Sequence, residues 1–463
     1  MGFAIVSGFT PTLEPPASLL SAGSLLPPET HAGYAIDGLI PQWAVKPANR
    51  REVAQILGWA ASEGLKVAPW GGGTQIRLGN PPEELHLVLD LSSLDQVVDF
   101  QPADLTVTVE AGITLESLQR HLASAGKFLP LEAPLASRST VGGILATSSV
   151  GPLRHAYGLP RDWLIGIRVI SPAGDETKAG GRVVKNVTGY DLNKLYTGSL
   201  GTLGVIVEAT FKLAPLPANQ SALVASFPWV QQGIEAGRTL SRQVFAPQGL
   251  QVLNGAASRQ LELATASPSP EAAPQSATGA AVLAFFAGRP QALRRRMGES
   301  AQLLTRLGAT SVEQKQDADA LALLRGVTDL AWAEETQPEL ILKINLPPAA
   351  SLQMSVWLQA DSFFGGNSLD VASVVDVCFG GIRLLSWGPS GGLAEDIGRL
   401  RERAGKLGGS VVVEQCPLVW KGELDVWGEL PSGMDSGMEI MRRLKNKFDP
   451  HRTLNPGRFL GGL

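Results

Sequence analysis

The 463-residue chain is first narrowed by what it lacks. It holds two cysteines, Cys378 and Cys416, far apart in sequence. They offer no disulfide framework and no CxxC metal pair. An iron–sulfur cluster ordinarily takes about four thiolates, so this chain has no ligand set for one. Such usage fits a reducing compartment. No apolar run reaches the ~18 residues of a membrane-spanning helix. The opening "MGFAIVSGFTP" has no basic stretch ahead of it, so no secretory signal is read. A formal net charge of −4 leaves no electrostatic footprint for nucleic acid. Histidine is scarce: the five are His31, His86, His121, His155 and His451, with none between residues 220 and 440. No Walker string G-x-x-x-x-G-K-[ST] occurs. The glycines of "GSLGTLG" (Gly198, Gly201, Gly204) precede a strand rather than a helix, the reverse of a Rossmann turn.

Glycine itself is plentiful, and it clusters. "PWGGGTQIRLG" covers 69–79, "SRSTVGGILATSSVG" covers 137–151, and "GSLGTLG" is the third cluster. Consecutive residues without a Cβ can turn successive N–H groups into one concavity that holds an anion, typically a phosphate. Thr74 adds a hydroxyl donor to the first cluster, and "STVGG" offers two more hydroxyls beside bare backbone. The expectation is that amides of Gly71–Thr74 and of Ser139–Gly143 embrace one pyrophosphate from both sides.

Around these clusters the periodicity predicts a layered chain. Residues 1–35 are a loose lead-in, with order beginning near Trp43. "WAVKP", a helix over "NRREVAQILGWAASEG" and "KVAPW" form a β-α-β crossover, which pairs its two strands in parallel. "HLVLDL", "QVVDF" and "LTVTVEAG" are strands. "TLESLQRHLASAG" is a helix capped by Thr114, with Leu115, Leu118 and Leu122 on one face. "LIGIRVISPAGDETKAG" is a hairpin turning at Ala173–Gly174. Beyond residue 217, strands "ALVASF", "AVLAFFAG", "LILKIN" and "SVVVEQC" alternate with helices near 229–242, 291–307, 319–333 and 394–407. This is an α+β layer with an antiparallel sheet. Residues 264–280 are a low-complexity, disordered insertion. The tail from 441 is a helix followed by a Pro/Gly-marked segment.

Four strings occur in order: "PWGGGTQ", "STVGGILATSSVGPLRHAYGLPRDWLIGIRV", "KNVTGYDLNKLYTGSLGTLGVIVEATFKLAPLP" and "FDPHRTLNPGRF". Together they resemble the FAD-binding oxidoreductases of the p-cresol methylhydroxylase and vanillyl-alcohol oxidase type. Within that superfamily they are most similar to the FAD-binding subunits of bacterial glycolate oxidases. The resemblance is strong over about 43–217 and in the last fifteen or so residues, and weak over 220–440. It implies a PCMH-type FAD-binding domain of two α+β subdomains over 36–217. An α+β cap with an antiparallel sheet over 218–440 and a segment over 441–463 that returns to the flavin complete the chain.

Carried over residue by residue, the resemblance implies a cofactor-binding set. Trp70, Gly71, Gly72, Gly73, Thr74 and Gln75 form the pyrophosphate loop. Pro134, Ser139, Thr140, Gly142 and Gly143 lie near pyrophosphate and flavin. Arg154 and Gly158 belong to "GPLRHAYG", beside the isoalloxazine or ribityl chain. Gly201, Gly204, Val205 and Ile206 pack at the adenosine end or the flavin, and Asn455 and Arg458 return with the tail. No histidine stands in or beside the first loop, so non-covalent FAD is expected.

Oxidising a 2-hydroxy acid needs a cation for the carboxylate, a base for the hydroxyl proton and a hydride acceptor. Arg154 and His155 are the catalytic candidates. Lys185, Tyr190, Asp191 and Lys194 equally suit capping and bracing their loop, and Arg154 and Arg161 suit either the cofactor phosphate or the substrate carboxylate. Relatives that act alone supply a base and a metal site from a His-rich cap string, which this chain lacks. The resemblance therefore implies a subunit of a glycolate (2-hydroxy acid) oxidase complex. Its partners would be a related FAD-linked subunit and an iron–sulfur subunit. No metal, nucleic-acid binding or direct membrane insertion is expected, and the location is cytoplasmic or peripheral to a membrane through partners. A self-sufficient FAD-dependent alcohol oxidase and a non-catalytic assembly subunit are the alternatives.

Overall fold

The computed structural model describes residues 14–181, 190–263, 279–333, 337–360, 371–388, 392–428 and 435–463. The first layer holds β1 (Trp43–Val45), β2 (Val67–Trp70) and β3 (Leu87–Asp90), all parallel. Helix Arg50–Ser62 starts where the Asn49 side chain accepts the Glu52 amide, and buries Val53, Ile56, Leu57 and Ala60. One expectation is corrected here. The order is β1-β3-β2, so β1 and β2 do not pair with each other. The apolar run Leu87–Leu89 is buried throughout, and it takes the central place between them.

The lead-in is also tied down more firmly than composition suggests. Ser21 and Ser24 hydroxyls both donate to the Glu52 carboxylate, at 2.5 and 3.0 Å. Leu19 and Leu20 pack on the core of this layer. A buried carboxylate needs such donors, and the serines supply them.

The second layer comprises β4 (Val97–Gln101), β5 (Thr106–Glu110), β6 (Lys127–Phe128), β7 (Leu164–Ile170), β8 (Glu176–Gly180), β9 (Val205–Lys212) and β10 (Ala214–Pro215). Its main sheet runs β4-β5-β9-β7-β8, antiparallel throughout, while β6 and β10 pair apart. Helix Leu115–Ala123 is capped by Thr114 and buries Leu115, Leu118 and Leu122, as the spacing predicts. The second small-residue cluster holds a feature the sequence reading missed, a helix over Val141–Thr147 with Thr140 as its N-cap.

The third layer is one antiparallel sheet of β11 (Asn219–Phe227), β12 (Gly249–Asn254), β13 (Ala280–Gly288), β14 (Ser311–Gln316), β15 (Leu340–Asn345), β16 (Ala372–Asp376), β17 (Gly381–Ser386) and β18 (Ser410–Gln415). Its order is β14-β11-β13-β12-β16-β17-β15-β18. Alternation along the strands splits its side chains between two faces. Leu340, Leu342, Ile344, Ile382, Leu384, Val411 and Val413 pack on one side, with helices Val230–Ser241, Pro290–Arg306 and Leu393–Lys406. Ile341, Leu385 and Val374 lie on the other, against helix Asp317–Asp329 and against Leu135 and Leu153 from the glycine-rich half of the chain. That second face therefore looks toward the glycine-rich half of the chain. Residues 264–278 of the expected insertion, and Lys185, lie outside the described residues.

Candidate functional site

The three glycine clusters and the tail meet in two adjoining cavities of about 80 and 70 Å³. The first is lined by Gly71–Ile76, Ser139, Thr140, Gly143, Asn455 and Arg458. The second adds Trp70, Gly142, Gly201, Gly204, Val205 and Ile206. The glycines are bare because the chain passes too close for anything else. A Cβ on Gly71 would stand 2.2 Å from Thr140 Oγ1, and one on Gly72 would stand 1.8 Å from the Arg138 carbonyl oxygen. Gly73 and Gly201 lie at positive φ, 68° each.

The backbone amides of Gly71, Gly72, Gly73, Thr74 and Gln75 donate to no other described residue. Five consecutive open donors make a strong anion cradle. The second cluster differs from the sequence expectation. Ser139 N donates to Leu135 O at 2.8 Å, Val141 N to Ile113 O at 2.9 Å, and Gly142 N to Ala111 O at 2.7 Å. The amide of Gly143 is capped by Thr140 Oγ1 at 3.3 Å. These amides are spent on holding the second segment against the turn that follows β5 and on starting a helix.

Hydroxyl polarity shifts a second role. Ser139 Oγ donates to Pro134 O at 2.6 Å, so its contact with Thr74 Oγ1 at 2.9 Å must have Thr74 as donor. Thr74 is thereby committed as a donor. Thr140 accepts from Gly143 and keeps its own O–H free, beside Gly71. Thr140, rather than Thr74, is the open hydroxyl donor of the cradle.

The tail braces the first loop. Arg458 donates to Ile76 O and, at 2.8 Å, to Leu78 O. Burial pushes its guanidinium down to about 10. Its charge braces the loop's carbonyls, while its buried Nε has no partner among the described residues and the side chain lines the first cavity. Asn455, at φ 45°, donates Nδ2–H to Leu200 O at 2.7 Å, while its buried Oδ1 has no partner among the described residues. Two buried lysines missed at the sequence level complete the brace. Lys445 Nζ donates to Thr202 O, Leu454 O and Asp449 at 2.7–3.0 Å, and Asp449 accepts the amides of Thr453 and Leu454. Lys421, from the third layer, bridges Asp37 at 2.6 Å and the carbonyl of Arg77. A single buried cation gives no sequence periodicity, so neither was visible in the string.

Gly204 sits where a Cβ would meet Val169 Cγ1 at 2.4 Å, so it serves packing against β7. Gly158 lines neither cavity. At φ 78° it ends helix Arg154–Tyr157 beside Asp162. Pro134 lies behind the cradle wall and acts through its carbonyl.

Arg154 and His155 stand below the cap sheet, close to Asp376 at the end of β16. The Arg154 guanidinium lies 4.2 Å from the centre of the Phe379 ring. Burial holds the His155 imidazole below its ordinary range, with Asp376 opposing, so the ring is neutral at neutral pH. Tyr190 is exposed, Asp191 and Lys194 pair with each other at 3.0 Å, and Arg161 is exposed. A cavity of about 650 Å³ lies elsewhere, between helix Leu115–Ala123, residues 128–137 and helix Asp317–Asp329. Glu132 projects there, accepting from Leu153 N at 3.0 Å and Thr328 Oγ1 at 3.1 Å. Burial raises its carboxyl to about 7. Among the described residues no three His, Cys, Asp or Glu side chains gather as a metal site. No helix is long and apolar enough to cross a membrane.

Comparison with known proteins agrees with this architecture. A family model described as FAD binding domain matches residues 41–180, and one described as FAD linked oxidases, C-terminal domain, matches 216–349 and 432–459. The glycolate oxidase subunit GlcD of Bacillus subtilis is 25% identical over 433 residues, covering 90% of this chain and 89% of that one. A D-lactate dehydrogenase of Archaeoglobus fulgidus is 28% identical over 427 residues, 90% and 91% of the two chains. A D-2-hydroxyglutarate dehydrogenase of Xanthomonas citri is 33% identical over 182 residues, 39% of each. Among solved structures, p-cresol methylhydroxylase with substrate bound superposes with a TM-score of 0.71 at 13% identity, covering 95% and 94% of the chains. The open amides and the glycines that exclude a Cβ fit an FAD diphosphate, and the unpartnered Asn455 oxygen fits a hydroxyl or ring N–H donor of the same cofactor. The chain belongs to the FAD-linked oxidoreductases with the p-cresol methylhydroxylase type of fold.

Proposed function

We propose that this chain is an FAD-dependent oxidoreductase of 2-hydroxy acids, working as a subunit with a related FAD-linked subunit and an electron-carrying partner. The observation that carries the reading is the placement of Arg154 and His155 on the segment that follows the cradle's second wall, facing the polar end of the cap sheet. The amides of Gly71–Gln75 and the Thr140 hydroxyl would hold the diphosphate, and Asn455 Oδ1 would accept from a donor group of the cofactor. Bound there, FAD supplies the hydride-accepting ring. The cradle has no histidine that could form a covalent link, which supports non-covalent FAD.

The protein's own part is to bind, orient and move a proton. The Arg154 fork makes no hydrogen bond or ion pair with a described residue, so its donors are open to a carboxylate. The neutral His155 imidazole is a base able to take the hydroxyl proton. The absence of histidine between 220 and 440 supports dependence on a partner for full turnover. D-lactate and D-2-hydroxyglutarate, named in the relatives above, are the first substrates to try beside glycolate.

The test is anaerobic titration of the purified chain and of its complex with glycolate, D-lactate and D-2-hydroxyglutarate, followed at the flavin absorption band. Bleaching by one of the three is the expected outcome. A flavoprotein that none of them bleaches, alone or in complex, contradicts the reading.

A further inference from the structure

The face of the cap sheet that packs on the glycine-rich half of the chain carries a cluster of charges. Lys343 projects from β15 on the same side as Ile341, and Arg383 from β17 on the side of Leu385. Their backbones pair in register, Lys343 with Arg383. Glu414 comes from β18 and reaches across β15 to Arg383, accepting from Nε at 2.9 Å and from the second guanidinium nitrogen at 3.4 Å. Asp376 closes the β16–β17 hairpin by accepting the amides of Cys378 and Phe379, at 3.1 and 3.2 Å. Arg154 and His155 come up from the other half of the chain, within electrostatic reach of Asp376, and Arg154 within reach of Lys343.

Sorting these groups by partner leaves two open. Arg383 and Glu414 satisfy each other. Asp376 has a structural task. Lys343, although only partly accessible, makes no hydrogen bond and no ion pair with a described residue, and neither does Arg154. A sequestered ammonium without a partner is costly, and a facing guanidinium makes it more so. An anion between the two relieves both. Among the described residues three cations face two carboxylates, which leaves one positive charge to neutralise.

We infer that Arg154 and Lys343 form a carboxylate clamp spanning the two halves of the chain, matched to a substrate carrying a single carboxylate. The inference rests on the 2-hydroxy-acid reading and narrows it. A second carboxylate would find no free cation here and would lie against Glu414 and Asp376. The site thus favours 2-hydroxy monocarboxylates over 2-hydroxy dicarboxylates.

Ligands that cannot react separate binding from turnover. 2-Hydroxyisobutyrate has no hydrogen on its carbinol carbon, citramalate is its dicarboxylate counterpart, and 2-hydroxyisobutyramide is its uncharged one. Calorimetry on the FAD-loaded chain should show 2-hydroxyisobutyrate binding about tenfold or more tighter than citramalate, and no binding of the amide. Lys343→Met should weaken 2-hydroxyisobutyrate by about tenfold or more, with flavin content kept, and Lys343→Arg should restore most of it. Citramalate binding as tightly as 2-hydroxyisobutyrate overturns the single-carboxylate match. An unchanged affinity in Lys343→Met overturns the clamp. The ligand comparison on the unsubstituted chain decides even where a variant does not fold. Bleaching of the flavin by a 2-hydroxy acid, with affinity indifferent to Lys343, sinks the clamp alone. Absence of both bleaching and binding sinks the functional reading with it.

Discussion

The two glycine-bearing segments of the cradle look alike as strings and do opposite things. In the first, five amides from Gly71 to Gln75 point at no described acceptor. In the second, the amides of Ser139, Val141, Gly142 and Gly143 are all occupied. Small residues permit a close approach of backbone in both. What approaches differs: an anion's place in one case, the turn that follows β5 in the other. A run of glycine marks proximity, and only the hydrogen-bond census says to what.

The largest expected effect falls on the first segment. Gly72→Ala places a methyl 1.8 Å from the Arg138 carbonyl oxygen, a backbone atom that cannot swing aside. The purified variant should carry no flavin, read from its absorbance after gel filtration. Gly142→Ala meets Ala111 Cβ at 3.0 Å and its oxygen at 3.1 Å, and should keep most of its flavin. Equal losses in the two variants would break the comparison.

The next effect concerns the wall behind the second segment. Glu132 is held by Leu153 and Thr328, and its carboxyl is raised to about 7. Its proton is bound more tightly in the folded chain than in the unfolded one. That contribution is complete below the unfolded value of 4.5 and is lost as pH rises through about 7. Urea unfolding should therefore show wild-type stability falling relative to Glu132→Gln across this window, by roughly 3 kcal/mol at most. A constant difference between the two proteins would show that the carboxyl titrates normally.

A smaller effect sharpens the hydroxyl assignment. Thr140→Val removes an N-cap as well as the free donor, costing about 1 kcal/mol of stability and several-fold in FAD affinity. Thr74→Val should cost less affinity, because that hydroxyl already donates to Ser139. Fluorescence titration of FAD reports both, and the reverse order would return the donor role to Thr74. The mildest effect is on pH. With the His155 imidazole held below its ordinary range, flavin reduction should stay level down to about pH 6.5 and fall only below it. A midpoint above that value would exclude His155 as the base.

Much of this architecture was legible in the string, and the gaps have physical causes. Helix Leu115–Ala123 announces itself by its cap and its leucine spacing, and the β7–β8 hairpin by its turn. The position of β3 between β1 and β2 did not show, because local periodicity says nothing of strand order. β12, β14, β16 and β17 passed unread; β14, "SVEQKQ", is a polar edge strand with no apolar run. The glycine loops were visible as clusters, but whether their amides were open or spent depends on residues distant in sequence, such as Ala111 and Leu135. The same holds for Lys343, one lysine in an apolar strand whose isolation appears only when β17, β18 and Arg154 surround it.

Hydrogen–deuterium exchange of the amides, with and without FAD, tests the central claim most directly. The account predicts that Gly71–Gln75 exchange fast in the free chain and become protected on FAD binding, while Val141–Gly143 are slow in both states. Protection arising at Val141–Gly143, with Gly71–Gln75 unaffected, would contradict it.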